Sequence, residues 1–337
     1  MMATKLPSII FGTSGLGNLY VALNEDIKLQ IVKECLKHSE HPAVFDSAGK
    51  YGAGLALESL GQSLANLQVD PAQVRISNKL GWLRTDLLTE EPLFEPGVWK
   101  DLRHDAVQKI SYEGILECYE QGNTLLGNYP AKMLSVHDPD EYLAGSSSAD
   151  EYEGRYRDIL DAYVALHELK SKGKVDSIGV GAKDWKTIQK ISEEVQLDWV
   201  MFANSMTVHS HPMELMEFMK KLQKQEVTII NSAIFNGGFL TGSDWYNYQP
   251  VSQADRPDLY EWRDSFYSLC KLYSLNPAAV CTSFAFHAPG VNSVALNTTN
   301  PNRIESNIKL KDIQIPSSFW QEMRRQKLID DNYLFHT

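Results

Sequence analysis

Four polar residues at the ends of short apolar runs could together move a proton beside a carbonyl or hydroxyl group. Asp46 ends the run AVFD, and Tyr51 follows it by five positions. Lys79 lies in RISNKLG, and His137 ends MLSVH. A tyrosine with its ordinary pKa of about 10 is a poor acid–base group at neutral pH, but a lysine held by an aspartate would lower that pKa. With His137 hydrogen-bonded to the substrate oxygen, the set predicts proton transfer at Tyr51 while a hydride moves to or from a cofactor.

Taken singly, each of these residues has an ordinary structural interpretation. An aspartate or lysine at a strand end is usually a solvated or capping residue, and a lone tyrosine usually lies at the rim of a core. His137 could simply form a local hydrogen-bonded pair with Asp138. The four residues together are more informative than any one of them, because each lies at or just beyond the C-terminal end of a predicted strand.

Eight short β-like runs alternate with helical patterns and supply the strand ends that these residues need. The predicted strands span residues 8–12, 43–46, 74–80, 133–137, 175–180, 199–203, 227–230 and 293–296. Strands alternating with helices indicate parallel βαβ units, and eight of them close a (β/α)8 TIM barrel. We therefore predict one TIM-barrel domain over residues 1–337, with the chemistry at the C-terminal face of the strands. An open doubly wound sheet is the structural alternative.

The remaining chain divides into predicted helices and long loops at that face. Helical patterns cover residues 26–39, 55–67, 105–126, 153–172, 186–195, 213–224, 259–272, 277–287, 301–308 and 317–330. The segments 82–105, 139–153 and 236–257 lack a clear period, so we predict that these loops set substrate specificity. Trp82, Trp99 and Trp245 lie in them, and their rings could either stack on a sugar or pack beneath the loops.

Composition limits the partners that this chain can have. The net charge of −11 and pI of about 5.3 argue against nucleic acid or an anionic membrane as the main partner. The four cysteines form no C-x-x-C pair, so we expect neither structural zinc nor a disulfide framework. His209 and His211 have no third ligand nearby, and we predict no metal site. Without a signal-peptide pattern or a long apolar run, we expect a soluble cytoplasmic protein, monomeric or weakly homo-oligomeric.

Several segments resemble the aldo-keto reductase family. FDSAGKYGAGLALESLGQSL, RISNKLG and LSVHDPD are similar to the family segments that carry its catalytic aspartate, tyrosine, lysine and histidine. The resemblance extends from about Ile9 to Asn307, and GNLY, VHDPD and FNGGFLTG look most like the branch of L-fucose dehydrogenase and D-threo-aldose 1-dehydrogenase. It implies that Tyr51 is the acid–base residue, that Lys79 lowers its pKa with Asp46 as its ion-pair partner, and that His137 orients the substrate.

The same resemblance implies a nicotinamide cofactor, NADP or NAD. It places the pyrophosphate near FNGGFLTG and the adenosine end near TTNPNRIESN; the residues implied are Ser232, Phe235, Asn236, Gly238, Thr298, Arg303 and Asn307. A helix start in the second segment suits a phosphate. Asn297 stands where NADPH-preferring members often carry a lysine, yet Arg303 could bind a 2′-phosphate bidentately, so both cofactors remain open.

Three residues depart from the family pattern around the nicotinamide. Gly181 and Ala182 stand in GVGAKDW where GVSN is common, and Ser232 stands where many members have a ring-stacking tyrosine. The departures leave open how the nicotinamide amide is bound. The glycine-rich segment GTSGLG at 12–17 is neither a dinucleotide fingerprint nor a P-loop, and we predict that it lines the mouth and contacts the cofactor.

These observations favour oxidation of an aldose at C1 to a lactone, or the reverse reduction, with NAD(P). Trp82, His137 and Asp138 are the predicted substrate-binding residues. A general NADPH-dependent aldehyde or ketone reductase would use the same four catalytic residues. A non-catalytic cofactor-binding regulatory subunit is a third hypothesis, because a barrel does not fix an activity and GVGAKDW is atypical.

Overall fold

The computed structural model describes residues 5–331 and 333 and has a closed barrel of eight parallel strands at its centre. These strands are β1 (Ile9–Gly12), β2 (Ala43–Ala48), β3 (Val74–Leu80), β4 (Met133–His137), β5 (Ser177–Ala182), β6 (Trp199–Ala203), β7 (Thr228–Ser232) and β8 (Val291–Leu296). Strand β1 pairs in parallel with both β2 and β8, which closes the sheet. The TIM-barrel prediction is confirmed, and the open doubly wound alternative is wrong.

Apolar side chains fill the part of the barrel interior below the mouth. Val44 and Asp46 are two positions apart on β2, so they point to the same side of the strand. Val44 belongs to a buried cluster contributed by several strands, which consists of Ile10, Val44, Met133, Trp199, Met201 and Ile230. The Trp199 ring also occupies the space beside Gly179, where a Cβ would lie 2.1 Å from it. Because this layer fills the interior beneath Asp46, the polar side chains gather at the mouth.

Helices surround the barrel and hold the strands in register. They are α1 (Glu25–His38), α2 (Leu55–Asn66), α3 (Tyr112–Leu126), α4 (Pro139–Ala144), α5 (Ala149–Ser171), α6 (Trp185–Glu194), α7 (Met213–Lys224), α8 (Pro257–Leu272), α9 (Pro277–His287), α10 (Ile304–Lys309) and α11 (Ser317–Arg325). Asn24 caps α1 by accepting a hydrogen bond from the Ile27 amide at 2.9 Å. Within the described ranges, no helix is long and apolar enough to cross a membrane.

The largest difference from the sequence prediction lies between residues 82 and 111. Residues Trp82–Asp86 and His104–Gln108 form an antiparallel hairpin where a loop and a helix start were predicted. The Asp105 carboxylate does not cap a helix; it accepts hydrogen bonds from the Leu93 amide at 2.9 Å and the Ala106 amide at 2.8 Å. Helix α3 begins seven residues later than predicted, after Ser111, whose hydroxyl accepts from the Gly114 amide at 3.0 Å.

Smaller differences concern the loop predicted at 144–153 and two element ends. The loop is short because Ser148 caps α5, accepting from the Glu151 amide at 3.1 Å, so that helix begins at 149 rather than 153. Strand β5 lies two residues further along than predicted and contains both Gly181 and Ala182. The last helix ends at Arg325, not at 330.

The hairpin and its loop pack against the mouth through a small core of their own. Ala53, Phe94, Trp99 and Ala106 are buried together, with Tyr51 and Trp82 at the edge of the same cluster. A second, shorter hairpin pairs Trp245–Tyr246 with Gln249–Pro250. These two hairpins, together with the short helix α4, lie largely within the segments predicted as long loops.

Candidate active site

Asp46, Lys79 and His137 lie at the C-terminal ends of three adjacent strands. The Lys79 ammonium donates to Asp46 Oδ2 at 2.5 Å and to the Ser47 carbonyl at 3.1 Å. The Ser77 hydroxyl donates to Asp46 Oδ1 at 3.1 Å. Both charged side chains are almost fully buried. The aspartate therefore fixes the position of the lysine charge, as the spacing of the strand ends predicted.

Tyr51 lies over this ion pair. The Lys79 ammonium is 4.7 Å from the centre of the Tyr51 ring, and the His137 ring meets it edge-on at 5.5 Å. No residue in the described part of the chain forms a hydrogen bond with the Tyr51 hydroxyl. The phenol is thus left available to a ligand beside two candidate proton-transfer partners.

The pKa of Tyr51 is shifted in the opposite direction to the one expected. Burial, followed by the charges of Asp46 and Asp138, holds the pKa of the phenol well above its ordinary value. The expected net lowering is wrong for this structure, because the Lys79 charge is shared with Asp46 and is outweighed by burial and the two carboxylates. Tyr51 is therefore a protonated phenol at neutral pH.

His137 is a neutral imidazole. Burial, followed by the charges of Lys79 and Lys50, holds the pKa of His137 well below its ordinary value. Its Nε2 lies 3.6 Å from Asp138 Oδ2, beyond hydrogen-bonding distance, and its buried Nδ1 has no partner among the described residues. A local His137–Asp138 hydrogen bond is thus not formed, and the imidazole can still bond to a substrate oxygen.

Two glycines bring the segment after β1 against the backbone of Tyr51. A Cβ at Gly17 would lie 2.8 Å from the Tyr51 carbonyl carbon, and a Cβ at Gly52 would lie 2.3 Å from the Gly17 carbonyl oxygen. Gly52 also has a φ of 61°, which favours glycine. On its other side the same segment contacts the tail, where Asn297 donates to the Ser14 hydroxyl at 2.8 Å. It therefore connects Tyr51 to the segment predicted to hold adenosine.

Asp138 belongs to a network of five charged side chains. Of these five, only Asp138 was predicted from the sequence as a site residue. This charged cluster consists of Lys50, Glu95, Asp138, Glu141 and Lys183. The Lys50 ammonium lies 2.8 Å from Glu95, 3.4 Å from Asp138 and 2.7 Å from Glu141. Lys183 is ion-paired with Glu141 and lies 3.9 Å from Asp138. These carboxylates raise the pKa of Lys50 despite its burial, so the lysine is charged.

The backbone at Asp138 is in a conformation that favours glycine. Its φ of 45° and ψ of 55° are left-handed, and its amide donates to the Gly181 carbonyl at 3.2 Å. Such conformations cost about 1–3 kcal/mol each and concentrate at functional sites. Here the conformation directs the carboxylate toward both lysines and His137, which supports the prediction that Asp138 contacts substrate.

The three tryptophans of the loops have different surroundings. The predicted substrate contact Trp82 lies with its ring 5.5 Å from the Lys50 ammonium, and its buried Nε1 has no partner in the described ranges. Trp99 is buried 5.8 Å from the Tyr51 ring and donates to Glu95 at 2.7 Å. The Trp245 ring lies 4.3 Å from the Tyr20 ring and is tilted against it by 31°. Trp99 thus packs beneath its loop, whereas Trp82 borders the charged cluster.

The residues predicted for the pyrophosphate follow β7. Ser232 ends that strand, and its hydroxyl donates to the Phe202 carbonyl at 3.1 Å. Asn236 is fully buried; its Nδ2 donates to Asn247 at 2.8 Å, while its Oδ1 has no partner among the described residues. Gly238 has a φ of 95°. The half-buried Phe235 accepts, through its carbonyl, a hydrogen bond from the Gly238 amide at 3.0 Å.

The structure brings two of the three adenosine candidates to one cleft. Thr298 and Asn307 line an open cleft of about 310 Å³, together with apolar side chains such as Phe11 and Ile304. Arg303 does not line it; its exposed guanidinium lies at the end of the short turn that precedes α10. The lining of the cleft is mostly apolar, and Arg303 lies outside it.

Asn204 is a candidate for the nicotinamide contact that Gly181 and Ala182 leave open. It directly follows β6, is 5 % exposed, and has a φ of 60°. Neither its Nδ2 nor its Oδ1 has a hydrogen-bond partner in the described part of the chain. A buried amide without partners costs about 1–3 kcal/mol, so one just beyond the C-terminal end of a barrel strand is suited to a ligand with both a donor and an acceptor. A carboxamide fits, so the residues present suit a nicotinamide.

His209 and His211 are each used by the protein itself. His209 shares a hydrogen bond of 2.9 Å with the Tyr246 hydroxyl, and burial lowers the pKa of His209 to about 4. His211 Nδ1 lies 3.1 Å from the Thr207 carbonyl, and its Nε2 accepts from the Asp330 amide at 3.0 Å. Over the described ranges, no group of three or more possible metal ligands comes together.

Comparison with known proteins agrees with this geometry. The profile of the aldo/keto reductase family matches residues 8–327. The chain is 27% identical over 296 residues to pyridoxal 4-dehydrogenase from Microbacterium luteolum. The matched region covers 85% of this chain and 84% of that protein.

Solved structures with the same fold include the following. Aldo-keto reductase AKR11C1 from Bacillus halodurans, in its holo form, matches with a TM-score of 0.69 at 15% identity over 98% of this chain and 97% of that chain. Glycerol dehydrogenase AKR11B4 from Gluconobacter oxydans matches with a TM-score of 0.66 at 14% identity over 98% of this chain and 95% of that chain. With these strand-end residues and a family match over nearly the whole chain, this protein belongs to the aldo/keto reductase family of nicotinamide-dependent oxidoreductases.

Proposed function

We propose that this protein oxidises an aldose at C1 to a lactone, or catalyses the reverse reduction, with NAD or NADP. The observation that carries the proposal is the unbonded Tyr51 hydroxyl beside His137 and the charged cluster. A sugar presents several hydroxyl groups, and each can donate to a carboxylate or accept from a lysine. The mouth therefore suits a small polyhydroxy compound better than an apolar aldehyde.

Three side chains would divide the proton chemistry in the oxidative direction. The nicotinamide, when bound, accepts the hydride that leaves C1. Tyr51, as a phenolate, takes the proton of the anomeric hydroxyl, so that the C1–oxygen bond becomes the carbonyl of the lactone. His137 donates a hydrogen bond to that oxygen and orients it. Lys79 stabilises the phenolate form of Tyr51 by its charge. In reduction Tyr51 acts as the phenol and donates the proton.

The cofactor would lie across the ends of β5 to β8. Asn204 is suited to the carboxamide, the segment at Asn236 and Gly238 to the pyrophosphate, and Thr298 and Asn307 to the adenosine. The exposed Arg303 could bind the 2′-phosphate of NADP, and nothing in the cleft requires that phosphate. The choice between NAD and NADP therefore requires a direct comparison of the two cofactors by experiment.

A general aldehyde or ketone reductase is the second candidate. The protonated Tyr51 favours it, because a phenol is the form that donates a proton to a carbonyl. The similarity to pyridoxal 4-dehydrogenase also points toward an aromatic aldehyde. The non-catalytic cofactor-binding subunit is the third candidate, and the free Tyr51 hydroxyl argues against it.

The deciding experiment follows nicotinamide absorbance with a panel of aldoses, run in parallel with NAD and NADP, and with aromatic aldehydes and each reduced cofactor. We expect turnover of at least one aldose. Replacing Tyr51→Phe should lower the rate about 10²- to 10⁴-fold, because general acid–base catalysis contributes on that order. The matched control is Tyr112→Phe, since Tyr112 lies on α3 and bonds only to Glu168.

Three results would contradict parts of this proposal. Turnover of aromatic aldehydes without turnover of any sugar would exclude the sugar assignment. A fully active Tyr51→Phe variant would exclude the proton transfer. Calorimetric cofactor binding without turnover of any compound would favour the regulatory subunit.

A further inference from the structure

Two of the three carboxylates of the charged cluster are exposed to solvent, whereas one of its two lysines is buried. The Lys50 side chain is 5% exposed, whereas the side chains of Glu95 and Glu141 are 31% and 38% exposed. Lys50 lies beneath them, with its ammonium also close to the Trp82 ring. Lys183, the other lysine of the cluster, is 33% exposed and ion-paired with Glu141, so the exposed charges of the cluster are two carboxylates and one ammonium.

Counting charges gives the mouth an excess of negative charge. Three ammonium groups, those of Lys50, Lys79 and Lys183, face the four carboxylates of Asp46, Glu95, Asp138 and Glu141. His137 adds no positive charge, because its pKa is held well below the ordinary value. Burial raises the pKa of Asp140 to about 6, so at pH 7 and above this neighbour adds a further carboxylate.

The cluster also borders the atoms where chemistry would occur. Asp138 directly follows His137, and its carboxylate lies 3.6 Å from the imidazole. Lys50 directly precedes Tyr51 in the chain. The cluster is thus the wall of the same mouth that holds the Tyr51 hydroxyl, and its net charge acts on whatever binds there.

We propose that the charged cluster selects substrates by charge, admitting uncharged or cationic polyhydroxy compounds and rejecting phosphorylated or carboxylated ones. This inference rests on the proposed function for the identity of the substrate class. Asp138, Glu95 and Glu141 offer acceptors to hydroxyl groups, and the same carboxylates repel an anionic group on the substrate. At separations of several ångströms near a protein surface, one unbalanced charge is expected to change kcat/KM about tenfold.

The test compares related compounds that carry a negative, a neutral or a positive group. An aldose, its 6-phosphate, its uronic acid and its 6-amino-6-deoxy derivative form one series. Benzaldehyde and 4-carboxybenzaldehyde, assayed for reduction, form a second. We expect kcat/KM to be about tenfold lower for the anionic members and at least equal for the amino sugar. The amino sugar separates charge from bulk, because it is also substituted at C6.

A change of ionic strength and two variants test whether the charged cluster causes the difference in kcat/KM between neutral and anionic compounds. Raising the ionic strength from about 10 mM to about 500 mM should narrow the ratio of neutral to anionic kcat/KM several-fold, because screening shortens the reach of surface charge. Glu95→Gln and Glu141→Gln each remove one carboxylate charge while keeping the shape of the side chain, and each should narrow the same ratio several-fold. Glu214→Gln, on the exposed side of α7, is the matched control and should leave the ratio as it is.

The outcomes separate this inference from the proposed function. If only the aldehydes react, the sugar assignment fails, and the carboxybenzaldehyde ratio still decides the charge selection. Equal kcat/KM for neutral and anionic members would overturn the charge selection, as would a ratio that neither salt nor either glutamate variant changes. An enzyme that reacts with neither series overturns both proposals.

Discussion

The two sides of the barrel mouth differ in how their polar side chains find partners. On the side of β2, β3 and β4, charged groups are paired with one another, and Lys50 alone contacts three carboxylates. On the side of β6 and β7, the polar groups are neutral, and Asn204, Asn231 and Asn236 each have at least one amide atom without a partner among the described residues. We call the first the catalytic side and the second the cofactor side, after the functions proposed for them. The protein thus pairs the charges of the catalytic side by itself, whereas neutral amide atoms on the cofactor side stay free for a ligand.

This contrast has an energetic meaning. A buried ion pair costs a large desolvation penalty, and it is tolerated only when each charge is well satisfied. Buried amides without partners cost about 1–3 kcal/mol each until a ligand bonds to them. The catalytic side should therefore be sensitive to loss of a charge even without cofactor, whereas the cofactor side should respond mainly through ligand affinity.

The largest expected effect comes from removing the central lysine of the catalytic side. Lys50→Met leaves Glu95, Asp138 and Glu141 with less compensation in a mostly buried setting, and should lower the free energy of unfolding by about 3–5 kcal/mol. Denaturant unfolding of the cofactor-free protein measures this. Lys309→Met is the matched control, because its ion pair with Glu305 is exposed and should be worth less than about 1 kcal/mol. Equal losses for both variants would remove the distinction between the two sides.

The second prediction concerns the dependence of kcat/KM on pH, which should arise from the catalytic side alone. The pKa of Tyr51 is raised, so the phenolate needed for oxidation becomes more abundant as pH increases. Oxidative kcat/KM should increase up to about tenfold per pH unit between roughly pH 7 and 9, while reduction, which uses the phenol, should stay level. NAD affinity, measured by calorimetry over the same range, should stay level too. Level profiles in both directions would mean that Tyr51 does not carry the proton.

The closed barrel could be predicted from the sequence, but the catalytic side could be predicted only in part. Alternation of strands and helices predicted the closed barrel, and parallel strands bring Asp46, Lys79 and His137 to one face wherever they lie in the chain. The partners of Lys50 were missed because the position of Glu95 depends on a hairpin with a long intervening loop. No local spacing indicates that Trp82–Asp86 pairs with His104–Gln108 across such a loop.

Other features were missed although a local pattern was present. Ser148 and Glu151 have the S-x-x-E spacing of a capping box, which predicts a helix start within the segment assigned to a loop. Asp105 looks like a helix cap in sequence, but its carboxylate is used by amides of the preceding loop. Asn204 had no such pattern, because its significance lies in the absence of partners, which depends on the three-dimensional packing around β6.

The smallest expected effect tests the cofactor side through Asn204. Asn204→Gly keeps the left-handed backbone that glycine readily adopts and removes an amide without partners. We expect the dissociation constant of the nicotinamide cofactor to increase about tenfold, with no loss in the free energy of unfolding, because the amide that is removed has no partner in the cofactor-free protein. Asn18→Gly is the matched control; its φ is 65°, but its amide bonds to Lys100 and Leu23, so this variant should lose about 1–3 kcal/mol of stability. If Asn204→Gly behaves like Asn18→Gly, with lost stability and unchanged cofactor affinity, the amide of Asn204 is structural and the cofactor side is not left open for a ligand.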